Sequence, residues 1–218
     1  MPPRLFPLLA LWALVGLCAL PEVVLQGADL GIWGAPGWRG TAYGWLGFWP
    51  GLLYDWRPNY PLQPLTMFVT YGFLHVGALH AGVNMITLWS LGRAVIDRAG
   101  PRGFVLLYAA SLMGGALGFG LLTNTTIPMV GASGALFGLI GGVLVWAVID
   151  RRREGLTLWP VGRAVLGLAA LNVVLWFVAG GQLAWQTHLG GFLTGAAMAF
   201  VMDWHSPGGF LAGPGAEL

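Results

Sequence analysis

The chain has 218 residues, of which 57% are hydrophobic and 8% charged, and its mean hydropathy is +0.74. A soluble domain carries roughly 25% charged residues, so a water-facing globule is excluded, as is a disordered chain, which needs high charge and few aromatics. The formal charge of +2 is no basis for nucleic-acid binding, and the one cysteine, Cys18, excludes a disulfide scaffold or a CxxC-type site. What remains is a single membrane domain over residues 1–218, an all-α fold of six transmembrane helices.

Six apolar stretches approach the ~20 residues a helix needs to cross the hydrocarbon core. They are Leu5 to Leu25, Thr66–Leu91, Phe104–Leu122, Met129–Ile149, Ala164–Ala179 and Leu183–Met202. The first reads as a span rather than a cleaved signal peptide, because it lacks a small-x-small cleavage site and contains Pro7 and Glu22. The fifth is short, with Arg163 at its edge. All ten basic residues are arginines. Six spans place Arg39 and Arg57 on one side and Arg4, Arg93, Arg98, Arg102, Arg151, Arg152, Arg153 and Arg163 on the other. That asymmetry predicts cytoplasmic termini. A bacterial inner membrane is the expected location, since no transit peptide or appended domain is read.

Between the first two spans, residues 26–63 carry Trp33, Trp38, Trp45, Trp49 and Trp56. Tryptophan prefers the headgroup region, so this loop is expected to lie in the outer interface. The tail from about residue 204 is short, rich in Gly and Pro, and expected to be disordered.

Polar groups inside a span cost free energy and are functional candidates by default. Within the spans fall His75, His80, Asn84, Ser133, Asn172 and His188, while no carboxylate lies deep in any of them. Counting back from the charge that ends each span, at about 1.5 Å per residue, puts Ser133 about 25 Å up, His188 about 22 Å, His80 about 20 Å and Asn84 about 14 Å. Three helices therefore bring a serine and two histidines to similar depth. His80 and Asn84 share a helix face. His75, about 140° away on a continuous helix, points elsewhere, which counts against a three-histidine metal site. Neither a metal nor a cofactor is expected. Asn172 is read as a helix-packing hydrogen bond.

Small residues recur every fourth position at Gly134, Gly138 and Gly142, and again at Gly191 and Gly195. Such stripes let helices approach closely in lipid. If the two stripes face each other, Ser133 and His188 become neighbours. A neutral histidine is the usual base for a serine nucleophile. The N-terminal end of the Ser133 helix favours a developing oxyanion, and Gly131 and Gly134 permit backbone close to a substrate. No third carboxylate is in reach, so the expectation is a Ser–His dyad. Its site is expected to open outward as a water-filled cavity capped by Gly180–Ala184 and the top of the fifth span, with substrate entering sideways.

These residues resemble the rhomboid family of intramembrane serine proteases. The resemblance rests on His75-x4-His80-x3-Asn84, Gly131-Ala132-Ser133-Gly134 and His188-x2-Gly191-x3-Gly195, in that order along the chain. It implies that Ser133 is the nucleophile and His188 its general base. His80 and Asn84 join the Ser133 N–H in the oxyanion hole, and His75 is a structural, hydrogen-bonding residue. It further implies cleavage of single-pass transmembrane substrates in the bilayer near the outer face. Many rhomboids carry a Trp-Arg pair in the first loop; the matching positions here hold Thr66-Met67, with Trp56-Arg57 ten residues earlier. The alternative is a non-catalytic rhomboid-like protein that binds client helices. A transporter is disfavoured, because the inner half of the spans has no polar file.

Overall fold

The structure is a computed structural model that describes residues 8–204. The first predicted residues, including Arg4, and the tail beyond Trp204 lie outside the described residues. Seven α-helices are described: α1 (Leu9–Asp29), α2 (Trp38–Leu46), α3 (Gln63–Thr70), α4 (Ala78–Leu122), α5 (Ser133–Arg153), α6 (Trp159–Val178) and α7 (Trp185–Trp204). Four of them, α1, α4, α5 and α6, are long and apolar enough to cross a membrane. At 45 residues α4 exceeds twice the length a crossing needs. Gly100 divides it, with φ of 73°, directly before Pro101.

Helix starts depart from the apolar runs in ways that matter for the site. The second predicted span began at Thr66, but α3 ends at Thr70, a 3₁₀ turn covers Tyr71–Phe73, and α4 starts only at Ala78. Gly77, with φ of 152°, makes the break, a conformation that side chains with a Cβ rarely adopt. His75 is therefore outside a helix. The fourth predicted span began at Met129, whereas residues 128–132 are not helical. Phe48 and Met129 exchange both backbone hydrogen bonds across an antiparallel bridge, at 3.0 and 2.9 Å, so α5 starts at Ser133 itself. The fifth is not short. It runs 20 residues from Trp159, with Pro160 in its first turn, where a missing N–H costs nothing; Arg163 lies inside it.

The bundle centre is α5 against α7, with α4 packed against both. A Cβ added at Gly191 would overlap the Gly134 carbonyl, and one at Gly195 the Gly138 carbonyl. Next to them, a Cβ at Gly190 would strike the carbonyl of Gly114 on α4. The Gly190-Gly191 pair thus sets α7 against two helices at backbone contact. Around it pack Leu88, Phe104, Leu107, Leu112, Leu139 and Ala199, all buried. At the far ends of these helices, Arg98 pairs with Asp150 at 2.9 Å and with Asp203 at 3.4 Å, and Arg153 reaches Asp203 at 2.9 Å. By contrast, no residue of α6 is buried.

The loop after α1 is stitched down rather than loose. Arg39 reaches both Glu22 carboxylate oxygens at 2.9 Å, Asp29 at 2.6 Å and the His75 carbonyl at 2.7 Å. Hydrogen bonding to Glu22 raises the Arg39 pKa above its ordinary value. Glu22, toward the end of the first span, is buried and lies about 10 Å before the end of α1. The anchoring arginine is neither at Thr66-Met67 nor at Arg57. It is Arg39, directly after Trp38. Because Arg39 and Glu22 are both largely buried, Arg39→Leu is expected to destabilise the fold by about 3 kcal/mol through the stranded carboxylate. Adding Glu22→Leu should restore most of it, as read from thermal unfolding in detergent.

Candidate active site

Three helices begin at the site. Ser133 is the first residue of α5, His188 the fourth of α7 and His80 the third of α4. The end of the bundle opposite the Arg98–Asp150–Asp203 pairs therefore holds all three. His188 Nε2 lies 2.9 Å from Ser133 Oγ, a hydrogen bond made possible by the backbone contact of α5 and α7 just below it. Phe137, one turn along α5 from Ser133, stacks flat on the imidazole, with ring centres 4.0 Å apart and planes within 3°. His188 is buried and Ser133 half-buried.

Gly131 precedes the serine with φ of 130°, and its N–H donates to the Tyr71 carbonyl at 3.0 Å. A Cβ there would sit 2.8 Å from the His80 ring and 3.8 Å from the Asn84 amide nitrogen. His80 and Asn84 thus lie against the backbone that leads into Ser133, 3.2 Å from each other through Nε2 and Nδ2. The first helical bond of α5 runs from the Leu136 N–H to the Ala132 carbonyl. The amides of the preceding turn are free of intrahelical partners and available to an anion.

His75 differs from expectation. Because α4 starts at Ala78, the angular separation of a continuous helix does not apply, and the His75 and His80 rings meet edge to face at 5.1 Å. The His75 side chain is buried, and neither ring nitrogen has a hydrogen-bond partner among the described residues. The hydrogen bonding is done by its carbonyl, which accepts from Arg39 and from the Tyr43 hydroxyl, each at 2.7 Å.

Two features were missed in the sequence. Asn172 Oδ1 lies 2.6 Å from His188 Nδ1, so this residue is not merely helix packing. Its presence in an apolar span was the available signal, but its partner was not. The second is an apolar cleft. A space of about 700 Å³ opens between α5, α6 and α7, bounded by Phe137, Leu168, Val173, Trp176, Leu189 and Phe192. His188 and Asn172 stand at its wall. Its walls are mostly apolar, so it is a cleft suited to hydrocarbon.

A serine and an imidazole in hydrogen bond stand at one end of a bundle that includes helices long and apolar enough for a bilayer. The comparison with known proteins then gives the family. The Rhomboid domain matches residues 62–204, and the chain belongs to the rhomboid family, which consists generally of intramembrane serine proteases. It is an integral membrane protein. Among its relatives, Rhomboid protease GluP of Bacillus subtilis (strain 168) is 30% identical over 138 residues, 63% of this chain and 26% of the relative. Rhomboid protein 1, mitochondrial, of Saccharomyces cerevisiae is 35% identical over 142 residues, 60% of this chain and 40% of the relative. RHOMBOID-like protein 4 of Arabidopsis thaliana is 34% identical over 154 residues, 66% and 36% respectively. The chain spans less than half the length of these relatives.

Proposed function

We propose that this chain is a serine endopeptidase that cuts transmembrane segments of membrane proteins near the outer face, with Ser133 as nucleophile and His188 as general base. The observation that carries the reading is the 2.9 Å hydrogen bond between Ser133 Oγ and His188 Nε2, next to free helix-start amides.

The chemistry follows from that geometry. Ser133 Oγ attacks the scissile carbonyl carbon while its proton passes to His188 Nε2. The carbonyl oxygen becomes an oxyanion beside the Ser133 N–H, His80 and Asn84, where fixed donors stabilise it. Protonated His188 gives its proton to the leaving amine as the C–N bond breaks. Water, deprotonated by His188, then attacks the acyl ester, and the new carboxyl end leaves with serine restored. Losing one oxyanion donor costs about 10²–10³ in turnover. Asn84→Ala is therefore expected to lower kcat by about that factor with KM little changed, in a cleavage assay in detergent.

The substrate class, single-pass transmembrane proteins, is supported by the apolar cleft beside His188. The proposed topology is six spans, counting α4 as two across Gly100 and including α7, with both termini cytoplasmic. Support comes from the arginine asymmetry and from the Arg98–Asp150–Asp203 pairs lying at the helix ends away from Ser133. On this topology the first loop lies in the outer interface, which suits the exposed indoles of Trp33, Trp38, Trp45 and Trp56. A bacterial plasma membrane is the proposed location; the relatives also include mitochondrial proteins.

The experiment is covalent labelling of the purified protein by a fluorophosphonate, with the modified residue located by mass spectrometry. Labelling at Ser133 that His188→Ala abolishes is the expected result. A folded protein that takes no label and cleaves no helical substrate is instead a non-catalytic binder of client helices.

A further inference from the structure

The cluster around His188 contains one polar group that the dyad leaves unused. Asn172 sits about two thirds of the way along α6, a helix with no buried residue, and its side chain is half-buried at the wall of the apolar cleft. Among the described residues, its bond to His188 is the one side-chain hydrogen bond that α6 makes with another helix.

The orientation of its amide is set by a second contact. Asn172 Nδ2 donates to the Leu168 carbonyl at 3.0 Å. That carbonyl can only accept, so the amide nitrogen must face it, which leaves Oδ1 toward His188. Oδ1 in turn can only accept, so Nδ1 of His188 must carry the proton. In a neutral imidazole Nε2 is then the bare nitrogen, and it is Nε2 that faces the Ser133 hydroxyl at 2.9 Å. One chain of donors and acceptors, from the Leu168 carbonyl to Ser133, thus selects the tautomer a general base requires.

We infer that Asn172 is the positioning residue of His188: it holds the imidazole with Nδ1 protonated and Nε2 free to take the serine proton. The inference rests on the proteolytic reading above and assigns the part that an Asp or Asn plays in other serine and cysteine hydrolases to a residue on the least packed helix of the bundle. Phe137 fixes the plane of the ring but not its rotation within that plane. Without Oδ1 the Nδ1–H would face the apolar side chains of the cleft unpaired, which burial penalises, and the ring is free to turn over. Displacing α6 has the same consequence, because nothing else on α6 bonds to the base.

The test compares Asn172→Leu with Asn172→Asp, both close to Asn in size. Fluorophosphonate labelling of Ser133 is read alongside kcat, KM and thermal midpoint. The probe is small and needs no transmembrane helix in the cleft, so it reports on the nucleophile and not on substrate entry. Expected is a fall on the order of ten- to a hundredfold in labelling rate and kcat for Leu, with KM unchanged. Asp, which keeps the acceptor, is expected to restore both to within about threefold of the parent. A packing role gives the opposite order, because Leu suits an apolar helix face and Asp does not; that order, or equal labelling by both variants, overturns the inference. A defect in cleavage alone, with labelling intact, overturns it too. If the Leu variant unfolds, Asn172→Ala serves as the variant without an acceptor. Should the parent protein itself neither label nor cleave, it is the proteolytic reading that fails.

Discussion

Ser133→Ala is expected to abolish cleavage of a helical membrane substrate, with a fall of about 10⁴-fold or more in kcat, while leaving the fold intact. The physical reason is that the residues act as a unit. Among the described residues His188 bonds to no other hydroxyl, and an alanine methyl cannot form the acyl intermediate. Among the described residues Ser133 Oγ has one hydrogen-bond partner, His188 Nε2, and the half-buried position tolerates the smaller side chain. The thermal midpoint should therefore move by only about one to six degrees, about what losing one hydrogen bond costs. Cleavage by the purified alanine variant at the parent rate would end the proposal for Ser133.

Gly191→Ala is expected to be nearly as damaging by a different route. A single methyl there overlaps the Gly134 carbonyl, which is backbone and cannot swing aside. Helices α5 and α7 must separate, and overpacking of this kind costs about 1–3 kcal/mol. The same displacement opens the Ser133–His188 bond, and a misplacement of about 1 Å can cost ~10²-fold in rate. The matched control is Gly167→Ala on α6, where an added Cβ meets nothing within 4 Å. In a helix interior that change gains up to about 1 kcal/mol of propensity, so the control should be neutral or stabilising. Thermal unfolding and the labelling rate of Ser133 check both. Equal effects at the two glycines would show that the α5–α7 contact does not set the site.

Those two residues show what could be read from sequence. Ser133, His188, His80 and Asn84 stood out because a polar group in an apolar span is costly and therefore rare. The glycine stripes were visible as a four-residue period. Helix starts were not, because hydropathy does not change where the helix breaks. Leu74, Val76 and Leu79 are apolar on both sides of Gly77, and the break is made by backbone conformation. The start of α5 was hidden for another reason. Its delay to Ser133 depends on Phe48, a residue of the first loop far away in sequence, pairing with Met129. Arg39 escaped notice in the same way: its partners lie on α1 and before α4.

By itself, the sequence determined that this chain lives in a membrane and which polar groups enter it, because partition into hydrocarbon depends on composition along each run. Tertiary structure decided which of those groups meet. Whether His188 faces Ser133, and whether Asn172 faces His188, depends on how closely and at what rotation α5, α6 and α7 pack. Close approach is permitted by the absence of a Cβ at Gly191 and Gly195. Rotation about each helix axis is set by all its neighbours together, and no local pattern in a single helix encodes it.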